Sequence, residues 1–257
     1  MAKWTAFPYD ASPYAYHPGE LAQHWSRLHA GDAEVLPDDE TVLAAWGLFH
    51  AGAFQKAYEA GLNAGVAGMT VANKAQAIYA NYLEKSERIK LAMLMEVAHR
   101  AEAQQASEPT NPNAFYWQAY ALGRYGQSIS VVKALSQGLG VKVKNALETT
   151  IRLAPQHADA HIGLGTFHAE IIDNVGSLMA KAQGATKEAG LRMFKEALRL
   201  NPSSAIGRVE YAHGLVMLEG EKRIKEAEQL YVEAAACEPI DATERLDVEI
   251  AKAELQD

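Results

Sequence analysis

The chain repeats a short phrase that ends a helix. The phrase reads TIRLAP, ALRLNP and AAACEP, and its three copies close at Pro155, Pro202 and Pro239. Proline has no amide hydrogen and its ring clashes with the preceding turn, so a helix stops near it. Self-similarity at a few tens of residues is typical of arrays of stacked helical hairpins. The repeated phrase therefore predicts an α-solenoid.

The internal order of each unit narrows the class of solenoid. Counted from Pro112, successive helix-ending prolines are separated by 43, 47 and 37 residues. A tetratricopeptide unit has about 34 residues, with Leu-Gly in its first helix and small and aromatic residues in its second, before a proline. Leu164 and Gly165, followed by Phe194 and Ala197, keep that order. The predicted fold is all-α, a tetratricopeptide-like right-handed α-solenoid with lengthened helical hairpins.

Composition and proline content divide the chain into four predicted parts. Residues 1–36 form an aromatic and proline-rich N-terminal arm, residues 37–110 divergent helical hairpins, residues 111–240 tetratricopeptide-like repeats with long inserts, and residues 241–257 a C-terminal capping helix. Terminal repeats need covering, which favours an arm that lies over the first helices. The alternative is an arm that fills the groove or docks on a neighbouring subunit, as in a homo-oligomer.

The excess length of the repeats lies between their first and second helices. Residues 128–143 and 171–189 are apolar and contain several glycines. Val131 and Leu135 share one helical face in the first segment, and Ile172 and Val175 do so in the second. Such stripes are usually core, which predicts long helices that pack on each other. The alternative is a hydrophobic lip presented to a ligand or to another subunit.

Charge and cysteine content exclude several classes of function. The formal net charge is -8 over 257 residues, whereas a nucleic-acid footprint needs a clustered basic face. The single cysteine, Cys237, permits neither an intramolecular disulfide nor a thiolate zinc site. No apolar run reaches the ~18 residues of a membrane span, and residues 1–8 lack the apolar core of a signal peptide. We therefore expect a cytoplasmic protein.

No motif of catalysis or cofactor binding stands out. His157, His161 and His168 have spacings that one face of a helix can present, and a pair at i, i+4 can hold zinc. His161 and His168, however, occupy positions of the first helix that normally carry large packed side chains. Phosphate-binding glycine loops, nucleophile elbows and HExxH are absent from the sequence. We predict no enzyme, no cofactor and no metal.

The concave wall of the array is the better candidate site. In a tetratricopeptide array this wall is mostly first helix, and counting from the Leu-Gly register places one set of residues on it. The predicted partner-binding residues are Trp117, Tyr120, Arg124, Gln127, Asp159, Ile162, Thr166, Glu170 and His213. Aromatic rings, one arginine and a few carboxylates are typical of a groove for a protein or peptide. The alternative is that the aromatics only contact the arm or the lengthened helices.

The strings YWQAYALGRYGQ at 116–127, HADAH at 157–161 with GTFHAE at 165–170, and ERLDVE at 244–249 resemble two related families. One is the T component of TRAP-type transporters, and the other is the regulator of microtubule dynamics family. The resemblance covers residues 113–255 and implies a lengthened tetratricopeptide array. It also implies a binding module for a transporter's solute-binding protein, oligomeric and with a hydrophobic pore. The chain shows no lipid-acceptor cysteine near its start and no membrane anchor.

Two functional hypotheses follow from different uses of the array. The first is a non-enzymatic scaffold for a protein or peptide partner in the concave groove. The alternative is a carrier of an apolar small molecule, or an accessory of a solute-binding protein, that uses the lengthened segments. An open wall lined by Trp117 and Arg124 favours the scaffold, and apolar volume between residues 128–143 and 171–189 favours the carrier. A pocket with two strongly pKa-shifted groups would favour an enzyme.

Overall fold

A computed structural model describes residues 3–256, and the regular structure within that range is helical, without a β-strand. Thirteen α-helices follow one another along these residues. They are α1 (Pro18–Leu28), α2 (Glu40–His50), α3 (Phe54–Asn63), α4 (Met69–Tyr82), α5 (Glu87–Ser107), α6 (Pro112–Ile129), α7 (Val131–Ser136), α8 (Leu139–Leu153), α9 (Ala158–Ala182), α10 (Lys187–Leu200), α11 (Ala205–Glu219), α12 (Ile224–Ala235) and α13 (Ala242–Glu254). The architecture is the predicted all-α helical solenoid.

Local chemistry sets the helix ends. Asn111 and Ser204 begin α6 and α11 by accepting the amides of Asn113 and Gly207, each at 2.9 Å. These caps satisfy amides that have no partner inside the helix. Pro155 and Pro202 lie two residues beyond α8 and α10, as expected. Pro112 is different, because it is the first residue of α6 rather than the stop of α5. Proline suits that position, where no amide hydrogen is needed.

The helices form two layers. Consecutive first helices pack side by side as an inner layer, in the order α2, α4, α6, α9, α11 and α13, while α3, α5, α8, α10 and α12 back them. The inner layer also closes, because α13 packs on α2. The inner helices therefore form a ring, and the concave face of the solenoid becomes an interior.

One aromatic ring shows how tightly the back half is built. Phe194 on α10 is fully buried between Gly165 of α9 and Gly214 of α11. A Cβ atom on Gly165 would lie 2.9 Å from the Phe194 ring, and one on Gly214 would lie 2.4 Å away. Both glycines are therefore needed for close packing of adjacent units, and the Leu-Gly register predicts this role for Gly165.

The arm lies over the first helices and then crosses to the last one. The ring of Trp4 stacks on Tyr79 at a centroid distance of 4.3 Å, and Phe7 packs edge-on against Phe54. Further along, the Tyr16 hydroxyl donates to the carbonyl of Ile240 at 2.7 Å. The arm thus contacts both ends of the array and joins them.

The last helix differs from the expected solvated cap. The sequence pattern of α13 predicts one apolar stripe with its charges in solvent, but Asp247 is only 5% exposed. It accepts a hydrogen bond from the Tyr82 hydroxyl of α4 at 2.6 Å. Asp241 caps α13 by accepting the amide of Glu244 at 2.7 Å and is also buried. Two faces of α13 are therefore covered, because the helix closes the ring as well as ending the array.

The lengthened segments form interrupted helices rather than the long helices that their pattern predicts, because α7 has only six residues and α9 is kinked. Residues 128–143 contain the end of α6, all of α7 and the start of α8, and Val131 and Leu135 pack towards the core. In α9, Gly176 has non-helical angles that kink the helix. Beyond the kink, Leu178 and Met179 are 84% and 62% exposed. One side of these segments is core and the other is an apolar surface. No helix within residues 3–256 has the length and apolar character needed to cross a membrane.

Substitution of the two Leu-Gly glycines tests this packing. Gly165→Ala should lower the free energy of unfolding by about 1–3 kcal/mol, because the new methyl group overlaps the buried Phe194 ring. Gly123→Ala is the matched control, since a Cβ atom there meets no atom within 4 Å and alanine favours the helix by about 0.5–1 kcal/mol. Urea unfolding of both variants is the measurement. Equal effects of the same sign would contradict the packing described.

Candidate ligand-binding cavity

The predicted partner-binding residues meet around two connected cavities. The interior cavity has a volume of ≈ 200 Å³ and lies inside the ring of inner helices. An outer cavity of ≈ 340 Å³ adjoins it. The predicted residues that line the interior cavity are Trp117, Tyr120, Arg124, Gln127, Asp159, Ile162, Thr166 and Glu170. His213 lines the outer cavity and not the interior one. Arg124 is among the residues that line both cavities.

The sequence prediction missed the residues that enclose the cavity from the two ends of the chain. Asp32 comes from the loop after α1, Lys74 and Tyr82 from α4, and Asp241 and Asp247 from the cap and first turns of α13. The Leu-Gly register could not predict these residues, because the arm and the divergent hairpins contain no such register. The one sequence signal among these residues is the position of Asp241 at the start of a helix. That position predicts a helix cap and does not predict that the helix closes a ring.

The C-terminal end of the arm also covers part of the concave surface. The amide of Asp159 donates to the carbonyl of Gly31 at 2.9 Å, which holds the loop after α1 against the start of α9. Asn113 of α6 donates to the carbonyl of Asp32 at 3.1 Å from the neighbouring inner helix. An uninterrupted groove along the inner helices is therefore not open at this point. What the predicted residues share is an interior cavity.

A chain of buried hydrogen bonds closes the ring beside this cavity. Lys74 donates from Nζ to Asp32 at 2.5 Å, and Nδ1 of His29 contacts the other oxygen of Asp32 at 2.8 Å. Nε2 of His29 lies 3.3 Å from Nε2 of His50, whose Nδ1 lies 2.7 Å from Asp241. All five side chains are at least nine-tenths buried.

The electrostatics of this chain favour a neutral His29 and an ionised Asp32. Burial lowers the pKa of His29 to about 4, so its ring is uncharged near neutral pH. Burial acts to raise the pKa of Asp32, but Lys74 and His29 outweigh it and lower that pKa well below its usual range. The Asp32 carboxylate is thus stabilised by the Lys74 ammonium and by the hydrogen bond with His29.

A second buried pair spans the middle of the cavity. Arg124 of α6 donates from Nη2 to Glu210 of α11 at 2.6 Å, and the Thr166 hydroxyl donates to the same carboxylate at 3.0 Å. Burial acts to raise the pKa of Glu210, but the guanidinium outweighs it and the pKa is lowered. Gln127 donates to Glu170 at 2.5 Å. Burial raises the pKa of Glu170 to about 7, since its partner is an uncharged amide.

Two other carboxyl groups line the cavity without a cation. Burial, and then the charge of Asp32, raise the pKa of Asp159 to about 7. Among residues 3–256, no side chain is hydrogen-bonded to its carboxylate. Burial raises the pKa of Asp247 well above its usual range, although the Tyr82 hydroxyl acts in the opposite direction. These two carboxyl groups therefore hold a proton at higher pH than exposed carboxyl groups do.

The other end of the cavity is apolar and comes from the lengthened segments. Its wall consists of Val131, Leu135, Leu139, Val143, Leu147, Phe167 and Ile171. These side chains belong to α7, α8 and α9, and all except Leu147 and Phe167 lie in the segments that exceed an ordinary repeat. The lengthened segments thus extend the cavity with an apolar compartment.

The histidines singled out by their spacing are packed. Nε2 of His157 lies 3.0 Å from Oδ1 of Asn113, and burial lowers the pKa of His157 to about 4. His161 and His168 are also buried, at 6% and 4% exposure. Within the described part of the chain, no three His, Cys, Asp or Glu side chains are grouped so as to hold a metal ion.

Comparison with known proteins supports the fold and does not identify a family. No model of a protein family matches the chain, and no curated protein matches it. A solved structure described as a thermophilic TPR protein in Thermus thermophilus matches with a TM-score of 0.58 and 16% identity. The match covers 83% of this chain and 98% of that one. It supports the tetratricopeptide-like fold, and gives no support to the two families suggested by resemblance.

The partly buried carboxyl group of Asp159 should make stability depend on pH. Its pKa is higher in the folded protein than in the unfolded chain, so its contribution to stability is lost as pH rises from about 4 through 7. Asp159→Asn should therefore add about 2 kcal/mol to the free energy of unfolding at pH 8 and little at pH 4. Urea unfolding across this range is the measurement. Asp173→Asn, an exposed position on the same helix, is the control, and the same pH profile for both variants would contradict the assignment.

Proposed function

We propose that this chain is a non-enzymatic binding module of tetratricopeptide-like fold that holds a small amphipathic molecule in its interior cavity. The observation that carries the proposal is the two-sided lining. One end has Asp159, Arg124 and aromatic rings, and the other has only apolar side chains from α7, α8 and α9. A largely apolar wall with a few placed polar groups is typical of small-molecule sites.

The size of the cavity supports a small molecule rather than an extended peptide. One water needs roughly 10–15 Å³ of the same kind of volume, so ≈ 200 Å³ accommodates a much larger occupant. An extended peptide would need an open groove along the inner helices. The loop at Gly31 and Asp32 and the start of α13 cross that wall.

The shifted carboxyl groups do not by themselves favour catalysis. Asp159 and Glu170 both have a raised pKa, which also occurs in acid–base enzymes. Among residues 3–256, however, no histidine or cysteine lines the interior cavity. The shifts are caused chiefly by burial. We therefore assign these carboxylates to ligand recognition.

Filling the apolar end should abolish binding of an apolar probe. Val143→Trp places a large ring in the cavity, whereas Val141→Trp changes an exposed position on the same helix. The neutral dye N-phenyl-1-naphthylamine should bind the native protein at one site. Its affinity should fall at least about tenfold, or 1.4 kcal/mol, in Val143→Trp and stay unchanged in Val141→Trp. Fluorescence titration measures this, and no binding by the native protein, or equal affinity in all three, would refute the cavity as a ligand site.

A protein partner is the second candidate, favoured by the exposed apolar surface of the lengthened segments. Leu178 and Met179 lie beyond the kink in α9, and Val132 of α7 is 57% exposed. Contiguous exposed apolar side chains are typical of protein interfaces.

Affinity capture separates the two candidates. A double variant, Leu178→Ser with Met179→Ser, should lose a partner that docks on this surface and keep dye binding. Arg124→Ala and Trp117→Ala should lose a partner that enters the groove. If all variants retain the same captured proteins as wild type, the scaffold function is refuted while the cavity proposal stands.

A further inference from the structure

We infer that the occupant of the interior cavity is an organic cation, an ammonium group attached to an apolar chain or ring. This inference rests on the proposed small-molecule function and adds the charge of the ligand to it. It follows from the acidic residues of the lining, from the carboxyl group of Asp159 that has no hydrogen-bond partner among residues 3–256, and from the apolar end described above.

Carboxylates outnumber cations in the lining of the cavity. The seven acidic residues are Asp32, Asp159, Glu170, Glu210, Asp241, Glu244 and Asp247, whereas the two basic residues are Lys74 and Arg124. An anionic occupant would add like charge to this set inside a low-dielectric interior, where repulsion is strongest. A cation would be attracted by the same field.

Pairing within the structure leaves part of this acidity uncompensated. Asp32, Glu210, Asp241 and Glu244 contact Lys74, Arg124, His50 and Arg27 respectively. Three carboxyl groups then have no cationic partner among residues 3–256, namely Asp159, Glu170 and Asp247. Burial favours the neutral form of these carboxyl groups, and a cation bound beside them would favour the ionised form and pair with it.

Asp159 marks where the ammonium lies, because its carboxyl group lines the cavity without a hydrogen-bond partner among residues 3–256. Trp117 is only 2% exposed and lines the cavity, and its Nε1 atom has no hydrogen-bond partner within residues 3–256. The buried hydroxyl of Tyr120 likewise lacks one in that range. The rings of Tyr116 and Tyr120 have their centroids 4.9 and 5.3 Å from that of Trp117. Lys74 and Arg124 already lie over the rings of Trp117 and Tyr120, 5.9 and 5.4 Å from their centroids. The Tyr120 oxygen can accept an ammonium N–H, whereas the Trp117 N–H can only donate and suits an acceptor atom elsewhere on the ligand.

Proton release gives a second signature of cation binding. The pKa of Asp159 is raised to about 7 by burial and by Asp32, and the groups that face it are Asp32, Lys74 and Glu244. Near neutral pH part of this carboxyl population is therefore protonated in the empty protein. An ammonium placed beside it favours the ionised form, so binding should release protons.

A set of probes with one chain length and different head groups tests the charge. The probes are n-octylammonium, 1-octanol and octanoate, measured by calorimetric titration with the native protein at pH 6.5. We expect n-octylammonium to bind at least tenfold more tightly than 1-octanol, with octanoate weakest. In buffers of different ionisation enthalpy, n-octylammonium should release protons and 1-octanol should not.

Variants locate the effect at Asp159. Asp159→Asn should weaken n-octylammonium at least tenfold, reduce its proton release and leave 1-octanol unchanged, while Asp173→Asn should change none of these values. If 1-octanol binds and n-octylammonium binds no better, the charge inference is wrong and the cavity function stands. Tighter binding of octanoate overturns it as well. If no probe binds, the proposed function fails together with it.

Discussion

The structure depends on one buried chain of charges that joins the two ends of the molecule. Asp32 follows the arm and Asp241 begins the last helix, and each would be costly to bury alone. Lys74 and the pair His29–His50 lie between them, and their side chains hydrogen-bond to both carboxylates. The hydrogen bonds satisfy the groups only when the loop after α1, α2, α4 and α13 meet. The network thus makes ring closure specific.

Ring closure changes what a helical array can bind. In an open solenoid, the inner helices present a long concave surface that suits extended partners. Here α13 packs on α2 and the arm crosses the wall at Gly31, so the same helix faces enclose a cavity instead. The lengthened segments then extend that cavity with an apolar compartment from α7, α8 and α9. Closure and excess length together account for its two-sided lining.

Repetition allowed the fold to be predicted, and the lack of repetition limited the prediction of the site. The Leu-Gly register located the inner face of α6 and α9, which is why Trp117 and Asp159 line the cavity. Lys74 and Asp247 could not be located, because α4 lacks that register and the charged pattern of α13 equally suits a solvated cap. Long-range pairing such as Tyr82 with Asp247 leaves no periodic signal in a sequence. The enclosure of the site was therefore beyond sequence reasoning.

Native-state hydrogen exchange of α13 tests ring closure most directly. In a closed ring, the amides of residues 246–251 are covered on two faces and should open only with the core. Their opening free energies should then lie within about 1 kcal/mol of those of the buried amides of α6. A terminal helix packed on one side only would fray, and its amides would exchange at free energies several kcal/mol lower. Matching values would support the closed ring, and free exchange of α13 would contradict it.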